Sequence, residues 1–223
     1  MEWIGHRGAP REALENTTAS FEMAFARGAD AVELDVHTTV DGVVVVHHDP
    51  NLGLATRPPP LRGRALADMT WSELRSADLG RGERIPSLSD VLRLTPSHAT
   101  VYVELKGRSI ERAVADVIMG APVRCAVHSF DHDAIRTMSS LAPEVPRGIL
   151  FDSAPVDVAG VMRHAAARDV WPKWTLIDRA LVDAIHAAGG RVIAWTVNSR
   201  DVARELSGLG VDAICSDDLR VLR

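Results

Sequence analysis

Lysine is almost absent from this chain: 223 residues contain two, Lys106 and Lys173, against 23 arginines. The arginines are scattered and the net charge is −5, so there is no basic block and nucleic acid is not an expected partner. Cysteine is equally sparse. Cys125 and Cys215 sit in apolar, strand-like runs, the pattern of buried free thiols in a reducing cytoplasm and not of a disulfide framework. No apolar run approaches the roughly 18 residues of a membrane span, so stable membrane insertion is not expected. The opening MEWIGHRG has no cationic segment followed by an apolar core, so no secretory signal is expected. Repeats, low-complexity tracts and long linkers are missing too.

What the chain does have is a rhythm. Hydrophobic residues make up 46% and charged residues 25%, ordinary values for a globular protein. Short β-branched runs (WIGHRG, AVELDV, TVYVELK, VRCAVHSF, PRGILF, VWPKW, RVIAWTV, DAICSD) alternate with helical patterns such as SIERAVADVIMG. That alternation predicts βα units around a parallel sheet. Eight strands in this length predict an α/β chain folded as a (β/α)8, or TIM, barrel. A doubly wound open sheet is the alternative, but no glycine-rich dinucleotide loop follows the first strand. VVVVHHD, at 43–49, breaks the rhythm, because only TTVDG separates it from AVELDV. A parallel crossover needs a dozen or more residues, so this run must pair antiparallel or diverge. It opens an insertion after the second strand, expected over about 42–87, within one domain spanning 1–223.

The acids are the first functional signal. In AVELDV, Val32, Leu34 and Val36 share one face and Glu33 and Asp35 the other. In VYVELK, Glu104 and Lys106 share a face with Tyr102. In a barrel the apolar faces pack on the helices and the polar faces look into the mouth at the C-terminal strand ends, where active sites of this fold lie. Three carboxylates converging there would raise one another's pKa values unless a cation is bound. All-oxygen donors favour Mg²⁺ or Ca²⁺. Separate, salt-bridged rim charges are the bland alternative.

Other residues fall near the same mouth. His6 ends the first strand, and His47 and His48 end the inserted one; their company of acids points to acid–base work. Lys106, Lys173 and Arg7 supply cations where a phosphoryl group would need them. Both lysines fall at predicted strand ends, so Lys173 is expected to contact substrate, although a plain surface role explains it as well. Phe130 and Trp195 end two strands and could wall a substrate backbone or simply fill the core. Asn16, Thr17 and Thr18 precede a helical pattern, which capping explains without chemistry. His37, His98, His132, His164 and His186 read as surface or structural.

Taken in order, GHRG, LENT, VELDV, HHDPNL, RIPSLSDVL, VELK, HSFD and AWTVN resemble the glycerophosphodiester phosphodiesterase family, from residue 4 to about 218. The resemblance implies a (β/α)8 barrel with a small insertion after the second strand. It also implies a cytoplasmic hydrolase of lipid and glycerol metabolism that cleaves small glycerophosphodiesters to glycerol 3-phosphate and an alcohol. His6 and His48, rather than His47, would be the acid–base pair. Glu33, Asp35 and Glu104 would hold a divalent cation, Mg²⁺ or Ca²⁺, and Arg7 and Lys106 the phosphate. The chain departs from the family pattern at Leu14, where Pro is usual, in GLATRPPPLRG, where Arg-Thr-Thr is usual, and at Asp218-Leu219. The altered insertion overhangs the mouth and bears on substrate choice. Lysophospholipase D-type action and a non-catalytic binding barrel are the competing readings. The second would be favoured by loss of a histidine or an acid, and none is lost.

Overall fold

The computed structural model describes residues 1–222, with side chains to Arg220. Eleven strands run in chain order: β1 (Glu2–His6), β2 (Ala31–Thr38), β3 (Val44–Val46), β4 (Asp78–Gly80), β5 (Glu83–Arg84), β6 (Thr100–Leu105), β7 (Arg124–Ser129), β8 (Arg147–Phe151), β9 (Asp169–Pro172), β10 (Arg191–Ala194) and β11 (Ala213–Ser216). The strands β1, β2 and β6 to β11 are parallel, and β1 pairs with both β2 and β11, so the sheet closes on itself as an eight-stranded barrel. Helices α1 (Thr18–Ala26), α2 (Trp71–Leu74), α3 (Leu88–Leu94), α4 (Glu111–Met119), α5 (His132–Leu141), α6 (Val158–Ala165), α7 (Arg179–Ala187) and α8 (Arg200–Leu209) complete it; α2 belongs to the insertion between β2 and β6, and one each of the other seven connects successive barrel strands.

Local chemistry starts these helices where they start. Thr17, Asp157 and Asp178 each accept an amide of the following first turn, and Ser87 forms a reciprocal capping box with Asp90. Alternation along the strands then sorts side chains into two layers. Val32, Leu34, Val36, Val101 and Val103 pack outward against the helices, while Ile4, Tyr102, Leu150, Trp171 and Ile193 fill the barrel.

The short link after β2 makes β3 antiparallel, with Val36 opposite Val46 and Thr38 opposite Val44. Alternation along β3 divides its side chains between two cores. Val44 and Val46 join the main one, and Val45 joins a small core of the insertion with Leu52, Leu66, Met69, Leu74 and Ile85. Just past the strand's end stand His47 and His48, whose side chains have different neighbours: His47 lines a cavity with Leu14 and Glu15, and His48 Nδ1 lies 2.8 Å from Asp49 Oδ1.

Cys125 is half-buried and Cys215 buried, and both are free thiols. Among the described residues, no helix is long and apolar enough to cross a membrane.

Candidate active site at the barrel mouth

The turn after β1 is built around two glycines. A Cβ on Gly5 would lie 2.4 Å from the Gly8 carbonyl oxygen, and one on Gly8 (φ +92°) 2.4 Å from Ser20 Oγ. Between them Arg7 takes a left-handed conformation (φ 53°). This aims its backbone amide at Glu33 Oε2 (3.1 Å), while its Nε lies 3.2 Å from Asp35 Oδ2 and its Nη1 donates to Glu15 Oε1 at 2.9 Å. Asn16 is also left-handed (φ 57°). Its Nδ2 donates to Asp35 Oδ2 (2.8 Å) and its amide to the Arg7 carbonyl (3.0 Å). Capping therefore does not account for Asn16; Thr17 caps α1, and Asn16 steadies a carboxylate.

The carboxylates of β2 and β6 have different neighbours. Asp35 is surrounded by Arg7, Asn16 and Lys106, whose Nζ lies 3.6 Å from Asp35 Oδ1. Burial alone would raise the Asp35 pKa, but Arg7 and Lys106 outweigh it and hold the group below its ordinary value. Burial pushes Glu104 up to about 7; Asp35 and Glu33 add to that rise, and His128 and Lys106 oppose it. Lys106 Nζ is 3.0 Å from Glu104 Oε1, off the hydrogen-bonding direction, so that oxygen has no hydrogen-bond partner. Glu33 Oε1 is likewise unpartnered, 3.7 Å from His128 Nε2.

Glu33, Glu104 and His128 are all buried, and each offers a ligand atom within 4.8 Å of the other two. The imidazole is fixed by stacking on Trp171, with ring centroids 4.2 Å apart and planes 4° from parallel. Glu33 Oε1, Glu104 Oε1 and His128 Nδ1 all lack hydrogen-bond partners. Buried polar atoms are normally satisfied. The carboxylates of Glu33 and Glu104, each with an unpartnered buried oxygen, lie together with the His128 imidazole, whose Nε2 is 3.7 Å from Glu33 Oε1, so the residues fit a divalent cation. They line a cavity of about 10 Å³ with His6, Leu150, Trp171, Trp195 and Cys215, room for little more than one water or ion. Of the three acids expected to converge, the structure gathers Glu33 and Glu104 with His128 and leaves Asp35 among the cations. Sequence reasoning passed over His128. The usable signal was register, since His128 on β7 pairs directly with Glu104 on β6.

His6 is held from the far end of the chain. Its Nδ1 donates to Asp217 Oδ1 at 2.6 Å, Asn198 Nδ2 donates to Asp217 Oδ2 at 2.7 Å, and its Nε2 faces Glu33 Oε2 at 3.9 Å. Burial would lower the His6 pKa, but the Asp217 hydrogen bond and the Glu33 charge outweigh it and raise the pKa above the ordinary value. Asp217→Asn should therefore lower the pKa of His6, read as the midpoint of its imidazole NMR titration. An unshifted midpoint in a folded variant would show that Asp217 does not set the state of His6.

His48 Nδ1 lies 2.8 Å from Asp49 Oδ1, and the His48 carbonyl accepts from His37 Nε2 at 3.1 Å. His37 is thus a buried residue of β2 that fixes the backbone of His48. His47 lines a separate cavity of about 480 Å³ with Leu14, Glu15, Ala55 and Leu79. Phe130 and Trp195 meet edge to face, with centroids 5.6 Å apart. Lys173 is exposed at the end of β9, bridged through its backbone to Trp195. It makes no ion pair among the described residues and does not line the small cavity. A cavity of about 760 Å³ opens at the opposite end of the barrel, where Glu2, Thr100, Arg124 and Arg191 begin or flank the start of their strands.

Acids able to hold a cation, two fixed cations and oriented imidazoles at the C-terminal mouth of a (β/α)8 barrel define a hydrolase suited to a charged phosphoryl group. Comparison with known proteins narrows this. The model of the glycerophosphoryl diester phosphodiesterase family matches residues 6–221. A Caldanaerobacter subterraneus glycerophosphodiester phosphodiesterase is 30% identical, over 98% of this chain and 95% of its own. A human lysophospholipase D is 38% identical, over 96% of this chain and 82% of its own. The structure of an Oleispira antarctica phosphodiesterase in complex with sn-glycerol 3-phosphate superposes with a TM-score of 0.91 at 27% identity, covering 100% of this chain and 95% of that one. The chain belongs to the glycerophosphoryl diester phosphodiesterase family, and its activity is that of a phosphodiesterase on glycerophosphodiesters.

Proposed function

We propose that the chain, acting as one cytoplasmic domain, cleaves glycerophosphodiesters to sn-glycerol 3-phosphate and an alcohol, with metal-dependent acid–base catalysis by His6 and His48. The observation that carries this reading is the buried cluster of Glu33, Glu104 and His128, each offering a ligand atom within 4.8 Å of the other two, beside the imidazole of His6. A divalent cation held by Glu33 and Glu104 with Asp35 or His128 would offset phosphoryl charge, the carboxylates favouring Mg²⁺ or Ca²⁺ and the imidazole widening the choice to metals such as Zn²⁺.

The chain's own side chains do the rest. Arg7 and Lys106 keep part of their surface open at the mouth and hold the phosphate oxygens. The glycerol 2-hydroxyl is already tethered to the substrate, so its attack on phosphorus gains effective molarity. One histidine takes the proton of that hydroxyl while the other protonates the departing alkoxide. Water then opens the cyclic phosphate at its bond to O2. Phe130 and Trp195 wall the glycerol carbons. Hydrolysis of glycerophosphocholine, followed by product analysis with and without added Mg²⁺ or Ca²⁺, tests this reading.

Lys173 is the least anchored member of the site. Its backbone amide donates to the Phe151 carbonyl (2.8 Å) and its backbone bridges to Trp195, which supports a position near the mouth, and its role would be charge alone. Lys173→Met should lower kcat/KM roughly tenfold, about 1.4 kcal/mol of transition-state stabilisation, with Lys173→Arg recovering part of it. A folded Met variant within about twofold of wild type, some 0.4 kcal/mol, would make Lys173 an ordinary surface residue.

A further inference from the structure

Between the insertion and the loop after β1 lies the cavity of about 480 Å³ that His47 helps to line. Its volume is that of a small-molecule site. It adjoins the mouth through Glu15, which stands in its wall and accepts from Arg7 Nη1 at 2.9 Å, and through His47, the neighbour of His48. Leu14 and, from GLATRPPPLRG, Gly53, Ala55 and Thr56 stand in the same wall, so the departures from the family pattern gather at this cavity.

The charge of the wall is unbalanced. Its two acids are matched elsewhere: Glu15 with Arg7, and both oxygens of Glu12 with Arg27 Nε at 3.0 and 3.1 Å. Asp218, which feels the charge of Arg11, is paired with Arg220. Burial lowers the His47 pKa, so its imidazole is neutral near pH 7. Arg11 and Arg81 remain, both exposed and neither in an ion pair among the described residues. Arg81 tops the turn between β4 and β5 in a left-handed conformation (φ 60°), between the left-handed Gly80 (φ 116°) and Gly82 (φ 81°). A third glycine would take that conformation without strain, so an arginine there points to a use for its side chain.

Position decides the occupant. Arg7 and Lys106 hold the phosphate, and Phe130 and Trp195, beyond the ends of β7 and β10, wall the glycerol. The cavity is built from the loop after β1 and the insertion after β2, away from that wall, which leaves it for the departing alcohol. A guanidinium binds carboxylate or phosphate oxygens through paired N–H donors and repels a quaternary ammonium.

We propose that this cavity is the subsite for the leaving alcohol, and that Arg11 and Arg81 select glycerophosphodiesters whose alcohol carries a second anion, a phosphate or a carboxylate. The proposal rests on the hydrolytic reading and names the substrate class of that site. The P–O bond that breaks is the same one, and the second anion departs with the alcohol.

Two matched pairs of substrates isolate the anion. Glycerophosphoinositol 4-phosphate differs from glycerophosphoinositol by a phosphate, and glycerophosphoserine from glycerophosphoethanolamine by a carboxylate. The readout for each pair is the ratio of kcat/KM, anionic substrate over parent. Wild type should favour the anionic member about tenfold, two exposed charge contacts together giving about 1.4 kcal/mol, and added salt should shrink the ratio. A preference confined to one pair would identify which anion is read. Arg11→Gln combined with Arg81→Gln should bring the ratio to about one, and Arg11→Lys combined with Arg81→Lys should restore part of it, because the charge returns without the fork. Calorimetric titration with inositol 4-phosphate gives a readout without turnover: it should bind wild type and be lost from the double Gln variant. Ratios near one in both wild-type pairs would overturn the proposal, as would a wild-type preference that the double Gln variant keeps. Failure to hydrolyse any of the four substrates would overturn the hydrolytic reading. The titration then decides the subsite alone: binding lost with the two arginines supports it, and binding equal in wild type and variant, or absent from both, overturns it.

Discussion

His6→Ala and His48→Ala should each slow glycerophosphocholine hydrolysis by about 10²–10⁴, the usual cost of removing a general acid or base, while His47→Ala should cost far less. The contrast follows from surroundings: His47 and His48 follow β3 in sequence but have different neighbours. His47 lines the cavity shared by the insertion and the loop after β1, and His37 fixes the backbone at His48. Steady-state kinetics on the three variants, with circular dichroism to show that each is folded, provides the check. Equal damage from His47→Ala and His48→Ala would mean that the wrong histidine has been assigned to the reaction.

Exhaustive chelation should abolish turnover, and a divalent ion added back should restore it. Glu33→Gln should raise the metal concentration needed for half-maximal rate, because one of the orphaned oxygens is replaced by a weaker donor. The sign of the pH dependence follows from Glu104. With its pKa pushed up to about 7, the carboxyl is increasingly neutral below that pH and ionised above it. A cation binds the ionised form, so apparent affinity should fall as pH drops through about 7. A ligand at free concentration L that binds only the folded protein stabilises it by RT ln(1 + L/Kd). The thermal-melting shift from a fixed, sub-saturating metal concentration should therefore be larger at pH 8 than at pH 6. A shift independent of pH, or full activity in metal-free protein, counts against this metal site.

The barrel was legible because its cause is local and repeated: strands alternate with helical patterns, and the separation of Val32, Leu34 and Val36 from Glu33 and Asp35 assigns one face to the helices and the other to the interior. The antiparallel course of β3 was legible from the shortness of its link to β2. What spacing could not say is which partner each inward-facing group finds. Glu33 and Asp35 share a face, yet Asp35 lies among Arg7, Lys106 and Asn16 while Glu33 turns toward His6 and His128. Asp217 supports His6 across 211 positions of sequence, a distance that only barrel closure removes. Asn16 sits where a helix cap is expected, and a cap was explanation enough. His128 lies in an apolar strand, where one histidine looks like core until register sets it beside Glu104.

The most direct test of the central claim is product analysis after incubating purified protein with glycerophosphocholine, with chelator and with restored Mg²⁺ or Ca²⁺. The expected result is sn-glycerol 3-phosphate and choline in equal amounts, formed only when metal is present. Glycerol and phosphocholine, or no product under any metal condition from folded protein, would contradict it.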